Sequence, residues 1–443
     1  MEGNRGITIR PHDCIVIGAG PSGLMAAITA SRNGADVLVI EHRDRPLKKL
    51  YATGNGRCNF TNLNIDMDSY RGSDPSFAYR ALEIFGREEL LDLFHQMGLM
   101  TKSIGGYVYP YNEQARAVAD VLLLECRRLG IDIRCGEDVV DITYDEFFSV
   151  STKAHVFKSR KLILAAGGKA GPTHGSDGSI NKFVRDLGHN IILQQPALVP
   201  LKFGDRRLGS LAGVRVKCGV SLEVDDNTVS SEWGEIIFNK DNISGIPVMQ
   251  VSRYATEALA DGRETALFLD LFPDESTDEL FSELKIVFRG PAPDDEVRRR
   301  DIRRDRTAIE ALGLCLNEKL AGYCLSEAGI VAGALAGNCS DKKLERLAGL
   351  LKDLRIAVIA DAGFDRAQVT AGGVDVSELK DDMGSRIIPG LYIVGELCDI
   401  DGTCGGYNLQ WAFTSGYIAG ASCVKADDEH IGSGGEQNTD TEQ

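Results

Sequence analysis

Two glycine-rich stretches at opposite ends of the chain hold residue types that can grip a phosphate-bearing ligand. The first is Gly18-Ala19-Gly20-Pro21-Ser22-Gly23, with Glu41 downstream. Gly18 permits a tight turn, Gly20 lets backbone approach a pyrophosphate, and Gly23 lets a helix pack close to a strand. The N–H groups that open such a helix, and the positive end of its dipole, stabilise phosphate oxygens. Glu41 falls about 20 residues beyond the turn, where a carboxylate accepts hydrogen bonds from ribose hydroxyls. The second stretch couples Gly395-Glu396 to Gly405-Gly406, a carboxylate followed by backbone donors at another helix start. A third, Thr53-Gly-Asn-Gly-Arg57-Cys58-Asn59, sets donors among glycines and suits a loop lying along a ligand. Lys169, Cys404 and Tyr407 could move a proton, but packing or cofactor contact is the simpler role for each, so no catalytic residue is assigned. Cys58 and Cys404 lack a partner cysteine at redox-pair spacing, which disfavours a disulfide-reductase mechanism. No metal-ligand set is expected.

Hydrophobic patterning supplies the elements that must position these groups. Apolar runs at 14–17 and 37–40 flank a small-residue helical segment ending near Gly34. Residues 13–41 therefore read as a complete strand–turn–helix–strand unit that binds an adenine dinucleotide. Residues 76–100 have helical spacing, 105–110 read as a glycine and tyrosine loop, and 115–129 as an amphipathic helix. Segments 131–134 and 139–144 read as strands, and 161–168 as a buried strand running into glycines. From about Gln194 the texture changes to alternating stretches (214–224, 234–238, 267–271) typical of short antiparallel strands. Residues 274–347 look helical and charged, and the basic run 298–306 reads as a solvated helix face. A strand at 354–360, the glycine-rich segment 369–374 and a buried strand at 390–396 precede a helix running to Gly420. Residues 1–12 read as a loose leader, and the apolar-poor tail as disordered.

Bulk properties narrow the function classes. A chain of 443 residues suggests two or three domains, and 43% hydrophobic with 26% charged residues is ordinary for a globular protein. The formal charge of −16 argues against nucleic acid as the main partner, because phosphate contacts need a basic face. Eleven scattered cysteines without a CxxC pair fit a reducing compartment. Neither a signal peptide nor an apolar run of about 18 residues is present, so a cytoplasmic protein with no membrane partner is expected.

The C-terminal stretch separates the dinucleotides. A dehydrogenase holding NAD has no need of a second helix start near its C-terminus, whereas FAD adds a ribityl chain and a flavin ring. Glu396 can bond ribityl hydroxyls, and the helix opened by Gly405-Gly406 can face the flavin edge where negative charge develops on reduction. Beside this reading, the motifs GAGPSG, TGNGRCNFTN, LAAGGKAGPTHGSDG, VTAGGV and GLYIVGELCDIDGTCGGYNLQWAFTSGYIAG resemble the HI0933-like (YhiN/BaiN-like) family of FAD-dependent oxidoreductases. GRCN and GGYNLQWAF are specific to it, while Lys169-Ala-Gly-Pro172 departs from the Ser-Tyr-Pro that more often follows that lysine.

The resemblance implies an α/β fold: a Rossmann-like FAD-binding domain carrying GxGxxG, interrupted by an inserted β-barrel-like domain with a helical subdomain. The expected boundaries are 1–192 with 364–425 for the FAD domain, 193–273 with 348–363 for the barrel, 274–347 for the helices and 426–443 for the tail. Carried over, Gly18, Ala19, Gly20, Ser22 and Gly23 meet the pyrophosphate, Glu41 the adenosine ribose, and backbone near Val139 the adenine. Arg57, Cys58 and Asn59 lie along the cofactor. Gly395, Glu396, Gly406, Asn408 and Leu409 hold the ribityl and flavin end. The implied activity is hydride transfer between flavin and a small organic substrate. Reduction of conjugated double bonds in 3-oxo bile acids is favoured, with oxidation of small amines such as aminoacetone, or non-catalytic flavin redox sensing, as alternatives. With one dinucleotide fingerprint present, NAD(P)H would dock only transiently as electron donor.

Overall fold

The computed structural model describes residues 11–290 and 306–425. Residues 1–10 of the expected leader, all but the last residue of the basic run and the C-terminal tail lie outside them, while His12, expected in that leader, already belongs to a strand.

Strand β1 (His12–Ile17) runs into helix α1 (Pro21–Arg32) and returns as strand β2 (Val37–Glu41). Both strands are buried on both faces, as their unbroken Val/Ile/Leu runs require. β1 lies parallel to β2 on one side, Ile15 opposite Leu38, and to Val156–Leu164 on the other, Ile15 opposite Leu162. Asp132–Cys135 extends the sheet beyond β2, and Leu391–Ile393 joins Val156–Leu164 in parallel. Phe148–Thr152 and Val139–Tyr144 add an antiparallel edge. Segments far apart in the chain thus bring their C-terminal strand ends to one rim of one sheet, where open α/β folds bind ligands.

The closing helix, Tyr407–Ser422, lies across α1. A Cβ at Gly416 would stand 2.3 Å from the Ser22 carbonyl oxygen, and one at Gly420 2.4 Å from that of Ala26. Glycine there lets two backbones touch, which ties the chain's end to its beginning.

A second core is separate. Leu201–Phe203, Arg215–Val224, Asn227–Phe238, Asn242–Gly245, Thr265–Asp270 and Leu354–Asp361 form a closed six-stranded barrel. Helix Ile246–Ala260 sends Val248, Val251 and Ala255 into its core, and helices between 277 and 352 pack on the same cluster. The chain crosses between cores on one antiparallel strand pair, Gln195–Ala197 with Val369–Ala371.

Two expectations are corrected. The helical spacing over 76–100 belongs to two helices, Ser76–Ile84 and Arg87–Gln96, broken where Glu89 caps the Gly86 N–H at 2.9 Å, with residues 101–104 already a strand. The glycine and tyrosine loop is a hairpin: Thr101–Ile104 pairs with Tyr107–Pro110 around Gly105-Gly106, both at positive φ. Those glycines make the turn, and the tyrosines are strand residues.

Candidate active site

The rim begins at the first glycine turn. Gly18 has φ +106°, and a Cβ on it would lie 2.4 Å from the Ala165 carbonyl oxygen. A Cβ on Gly23 would overlap the Gly18 carbonyl at 1.9 Å, whereas one on Gly20 would meet nothing within 4 Å. Two glycines are therefore needed by the protein itself, and Gly20 faces open space. The first intrahelical bond of α1 runs from the Leu24 N–H to the Gly20 carbonyl, 2.9 Å. The Ser22 and Gly23 N–H groups precede it and have no partner among the described residues, so they and the helix dipole are free for an anion. Ala19 differs from expectation, because its N–H is spent on Glu41 Oε2 at 2.8 Å.

Glu41 also accepts from the Arg43 N–H at 2.8 Å. A carboxylate has about four lone-pair sites, so two remain for ribose hydroxyls. His42 Nε2 and Arg43 Nε, next along the chain, are buried without partners among the described residues. The Glu137 N–H donates to the Glu41 carbonyl at 3.0 Å, so the backbone leading to Val139 crosses this same end of β2.

At the other end, Gly395 is at φ +71°, where a Cβ would strike Ser22 Oγ at 2.5 Å. Its backbone is taken on both sides: its N–H donates to Ser415 Oγ and its carbonyl accepts from Trp411 Nε1, each at 3.0 Å. Gly395 thus provides closeness and leaves the hydrogen bonding to Glu396. Glu396 Oε1 accepts from the Thr370 N–H and Oγ1 at 3.1 and 2.9 Å, and Oε2 takes Lys49 Nζ at 2.6 Å. Sequence spacing gave no sign of this Lys49–Glu396–Thr370 chain, whose members lie far apart along the polypeptide.

The closing helix presents the last donors. Gly406 caps it at φ +95°, and the Gln410 N–H makes the first internal bond, leaving the N–H groups of Tyr407, Asn408 and Leu409 outside the ladder. The Asn408 side chain is not available to a cofactor. Its amide bonds both the N–H and the carbonyl of Gly402 at 2.8 Å and shapes the preceding loop. The TGNGRCNFTN segment docks here, with Thr61 Oγ1 bonded to Gln410 Oε1 at 2.5 Å and Asn62 Nδ2 to the Gly405 carbonyl at 2.9 Å. Asn59 Oδ1 is buried beside Gly406 and has no partner among the described residues. Arg57 instead pairs with Glu113 and lies over the Tyr109 ring, 4.6 Å from its centroid. Cys58 is fully buried, which pushes its thiol up to about 12 and leaves only its backbone for a cofactor.

Of the proposed proton carriers, Tyr407 donates to the Asn64 carbonyl at 2.7 Å and Lys169 lies over Phe364. Cys404 stands where the two cores meet: its N–H donates to Gln250 Oε1 of the barrel helix at 2.7 Å, and burial raises its thiol. Beside it are Tyr107 and Tyr109, missed from the sequence because their hairpin looked like a loop. Burial raises both phenols, and neither hydroxyl has a hydrogen-bond partner among the described residues.

Free donors at two helix starts, open space over Gly20 and orphaned polar atoms at His42, Arg43 and Asn59 fit a long dinucleotide laid along the rim. Such a rim on a Rossmann-like fold is that of a dinucleotide-binding protein. The chain belongs to the HI0933-like family: the model for the HI0933-like protein Rossmann domain matches residues 12–422. It is 36% identical over 414 residues to the 3-dehydro-bile acid delta(4,6)-reductase of Clostridium scindens, covering 93% of this chain and 98% of that one. It is 28% identical over 421 residues to the ribosomal RNA dihydrouridine synthase of Escherichia coli, covering 94% and 98%. Among solved structures, the 3-ketosteroid delta1-dehydrogenase of Sterolibacterium denitrificans overlaps with a TM-score of 0.49 at 14% identity, covering 94% and 99%. No helix among the described residues is long and apolar enough to cross a membrane.

Proposed function

We propose that the protein is an FAD-dependent reductase that saturates a carbon–carbon double bond conjugated to a carbonyl, with a reduced nicotinamide nucleotide as transient donor. The observation that carries this reading is the full-length similarity to the bile-acid reductase, whose name describes a 3-oxo group beside ring double bonds. Dihydrouridine formation, named for the E. coli relative, is also saturation of a double bond next to a carbonyl. Between those substrates, the charge of −16 favours a small organic molecule over RNA.

When bound, the flavin would supply hydride chemistry at N5. The chain's residues would do the rest. Gly20 and the free N–H groups of α1 hold the pyrophosphate, Glu41 the ribose, and Glu396 the ribityl hydroxyls. The N–H groups at the start of the closing helix stabilise negative charge at the pyrimidine edge. The inserted barrel acts as a lid, with Gln250 docked on Cys404, and keeps water from the cleft. Saturating an enone also needs a donor for the carbonyl oxygen and a proton for the α-carbon. Tyr107 is our choice for that proton, because its ring packs against Gly405 beside Cys404 at the junction of the two cores and its hydroxyl has no hydrogen-bond partner among the described residues.

The test is anaerobic. NADH or NADPH should bleach the bound flavin stoichiometrically, and a 3-oxo-4,6-diene steroid acid should restore the colour. Tyr107→Phe should slow the restoring step about 10²-fold while the bleaching rate stays put, in line with the loss of one general acid. Reduction by a small amine with oxygen uptake, or flavin that no donor and acceptor pair turns over, would overturn this reading.

A further inference from the structure

A cavity of about 460 Å³ lies between helix Asn181–Asp186 and the segment that leads into the crossover strand. None of Gly18–Gly23, Glu41, Glu396 or Tyr407–Leu409 lines it, and it adjoins the path assigned to the cofactor only through Lys169, whose N–H bonds the Thr370 hydroxyl that also donates to Glu396. Two features mark it as a built site.

The first is an incomplete amide pair. Asn181 and Gln194, 9% and 8% exposed, line the cavity and bond each other once, Asn181 Nδ2 donating to Gln194 Oε1 at 2.6 Å. Asn181 Oδ1 and Gln194 Nε2 are left buried with no partner among the described residues. Each such group costs about 1–3 kcal/mol unless something bonds it. Exchanging O and N in both amides reverses the bond and still leaves one acceptor and one donor over, so the conclusion does not depend on their assignment. A lone anion would satisfy the donor and strand the acceptor. A carboxamide or imide edge, with N–H beside C=O, would satisfy both.

The second feature is charge. Lys169, Lys182 and Arg185 line the same cavity, and none has an ion-pair partner among the described residues. Three uncompensated cations around one opening are unexpected on a chain of net charge −16. Ile192 and Leu193 supply an apolar wall.

We infer that this cavity binds a nucleotide-sized organic anion, its phosphate against the lysines and arginine and its amide or imide edge on Asn181 and Gln194. The volume suits one nucleotide rather than a polymer. That chemistry occurs in a nicotinamide nucleotide and in a uridine nucleotide, and binding affinities separate the two sources. The inference is independent of what the flavin reduces.

Calorimetric titration of the flavin-loaded protein with nicotinamide mononucleotide, uridine monophosphate and inorganic phosphate tests it. At least one nucleotide should bind more tightly than phosphate by about tenfold or more, and the tighter one names the source. If nicotinamide mononucleotide binds, the nicotinic acid analogue, which lacks the N–H donor, should be weaker by a similar factor. Lys182→Glu with Arg185→Glu, both exposed positions, should weaken binding at least about tenfold and remove most of its salt dependence. Gln194→Glu, which keeps the shape and loses the donor, should weaken it as much, with the flavin spectrum reporting that the fold is intact. The inference is overturned if neither nucleotide binds, if phosphate alone binds as tightly, or if the surface double variant binds like the wild type.

Discussion

Replacing Gly20 should separate folding from cofactor binding, and Gly18 provides the contrast. Gly20 is the N-cap of α1 with φ −80° and ψ −176°, a conformation open to any residue, and a Cβ there meets nothing within 4 Å. Alanine is a poorer N-cap than glycine by roughly 0.5–1 kcal/mol. It also removes unfolded-chain entropy, a gain of about 0.4–1 kcal/mol. These nearly cancel, so Gly20→Ala without flavin should unfold within about 1 kcal/mol of the flavin-free wild type. The methyl group would occupy the space where a pyrophosphate must approach. Losing that approach by about 100-fold in Kd corresponds to about 2.7 kcal/mol. Gly18→Ala differs on both counts, since its φ is +106° and its Cβ would lie 2.4 Å from the Ala165 carbonyl oxygen. Strain of that kind costs about 1–3 kcal/mol before the clash is relieved. The assay is the flavin-to-protein absorbance ratio after purification, a flavin titration of the stripped protein, and urea unfolding of both variants. A Gly20→Ala protein that keeps full flavin occupancy and wild-type Kd would refute the placement of the pyrophosphate. A Gly20→Ala protein as unstable as Gly18→Ala would refute the reading of open space.

Three further outcomes concern stability. Asp401, 2% exposed and bonded through both oxygens to Arg253 Nε at 3.1 Å, joins the closing loop to the barrel helix, and burial lifts its carboxyl from 3.8 to about 6 against the pull of Arg253 and Arg71. A carboxyl whose folded pKa is raised binds its proton more tightly in the native state. Its contribution to stability is therefore greatest below about pH 4 and declines as pH climbs to about 6, by about 3 kcal/mol in all. Subtracting the denaturant-derived stability of Asp401→Asn from that of the wild type across pH 4–7 should expose that decline, and a flat difference would contradict it. Gly416→Ala should cost about 1–3 kcal/mol in urea unfolding, because its Cβ would meet the Ser22 carbonyl oxygen at 2.3 Å. Gly349→Ala, inside helix Asp341–Lys352 with nothing within 4 Å, should instead stabilise by up to about 1 kcal/mol.

Much of the fold was legible because it rests on local rules. The Ala115–Leu129 helix, with its apolar stripe and Gly130 in the left-handed C-cap, lies where the pattern put it. The same holds for the β1–α1–β2 unit. Errors came where local rules are silent. The Gly105-Gly106 pair has the composition of a loop, and only the pairing of its flanks with each other and with Thr61–Asn62 shows that they belong to a sheet. The helix broken at Gly86 kept its apolar spacing through the break, so periodicity could not see the cap.

The amino-acid sequence alone determined that a dinucleotide binds, because the glycine pattern, the flanking apolar strands and Glu41 are neighbours along the chain and each answers to backbone sterics. It also determined the family, through motifs such as GRCN and GGYNLQWAF. Tertiary structure decided which groups are free to act. The Ala19 N–H, both backbone groups of Gly395 and the Asn408 side chain are taken up by Glu41, the closing helix and Gly402. Lys49 reaches Glu396, Gln250 reaches Cys404, and the Tyr107 hydroxyl is left at the junction with no partner among the described residues. A residue's type states what it can donate or accept. Whether that capacity is still open depends on partners brought close by packing, and those partners are remote in sequence.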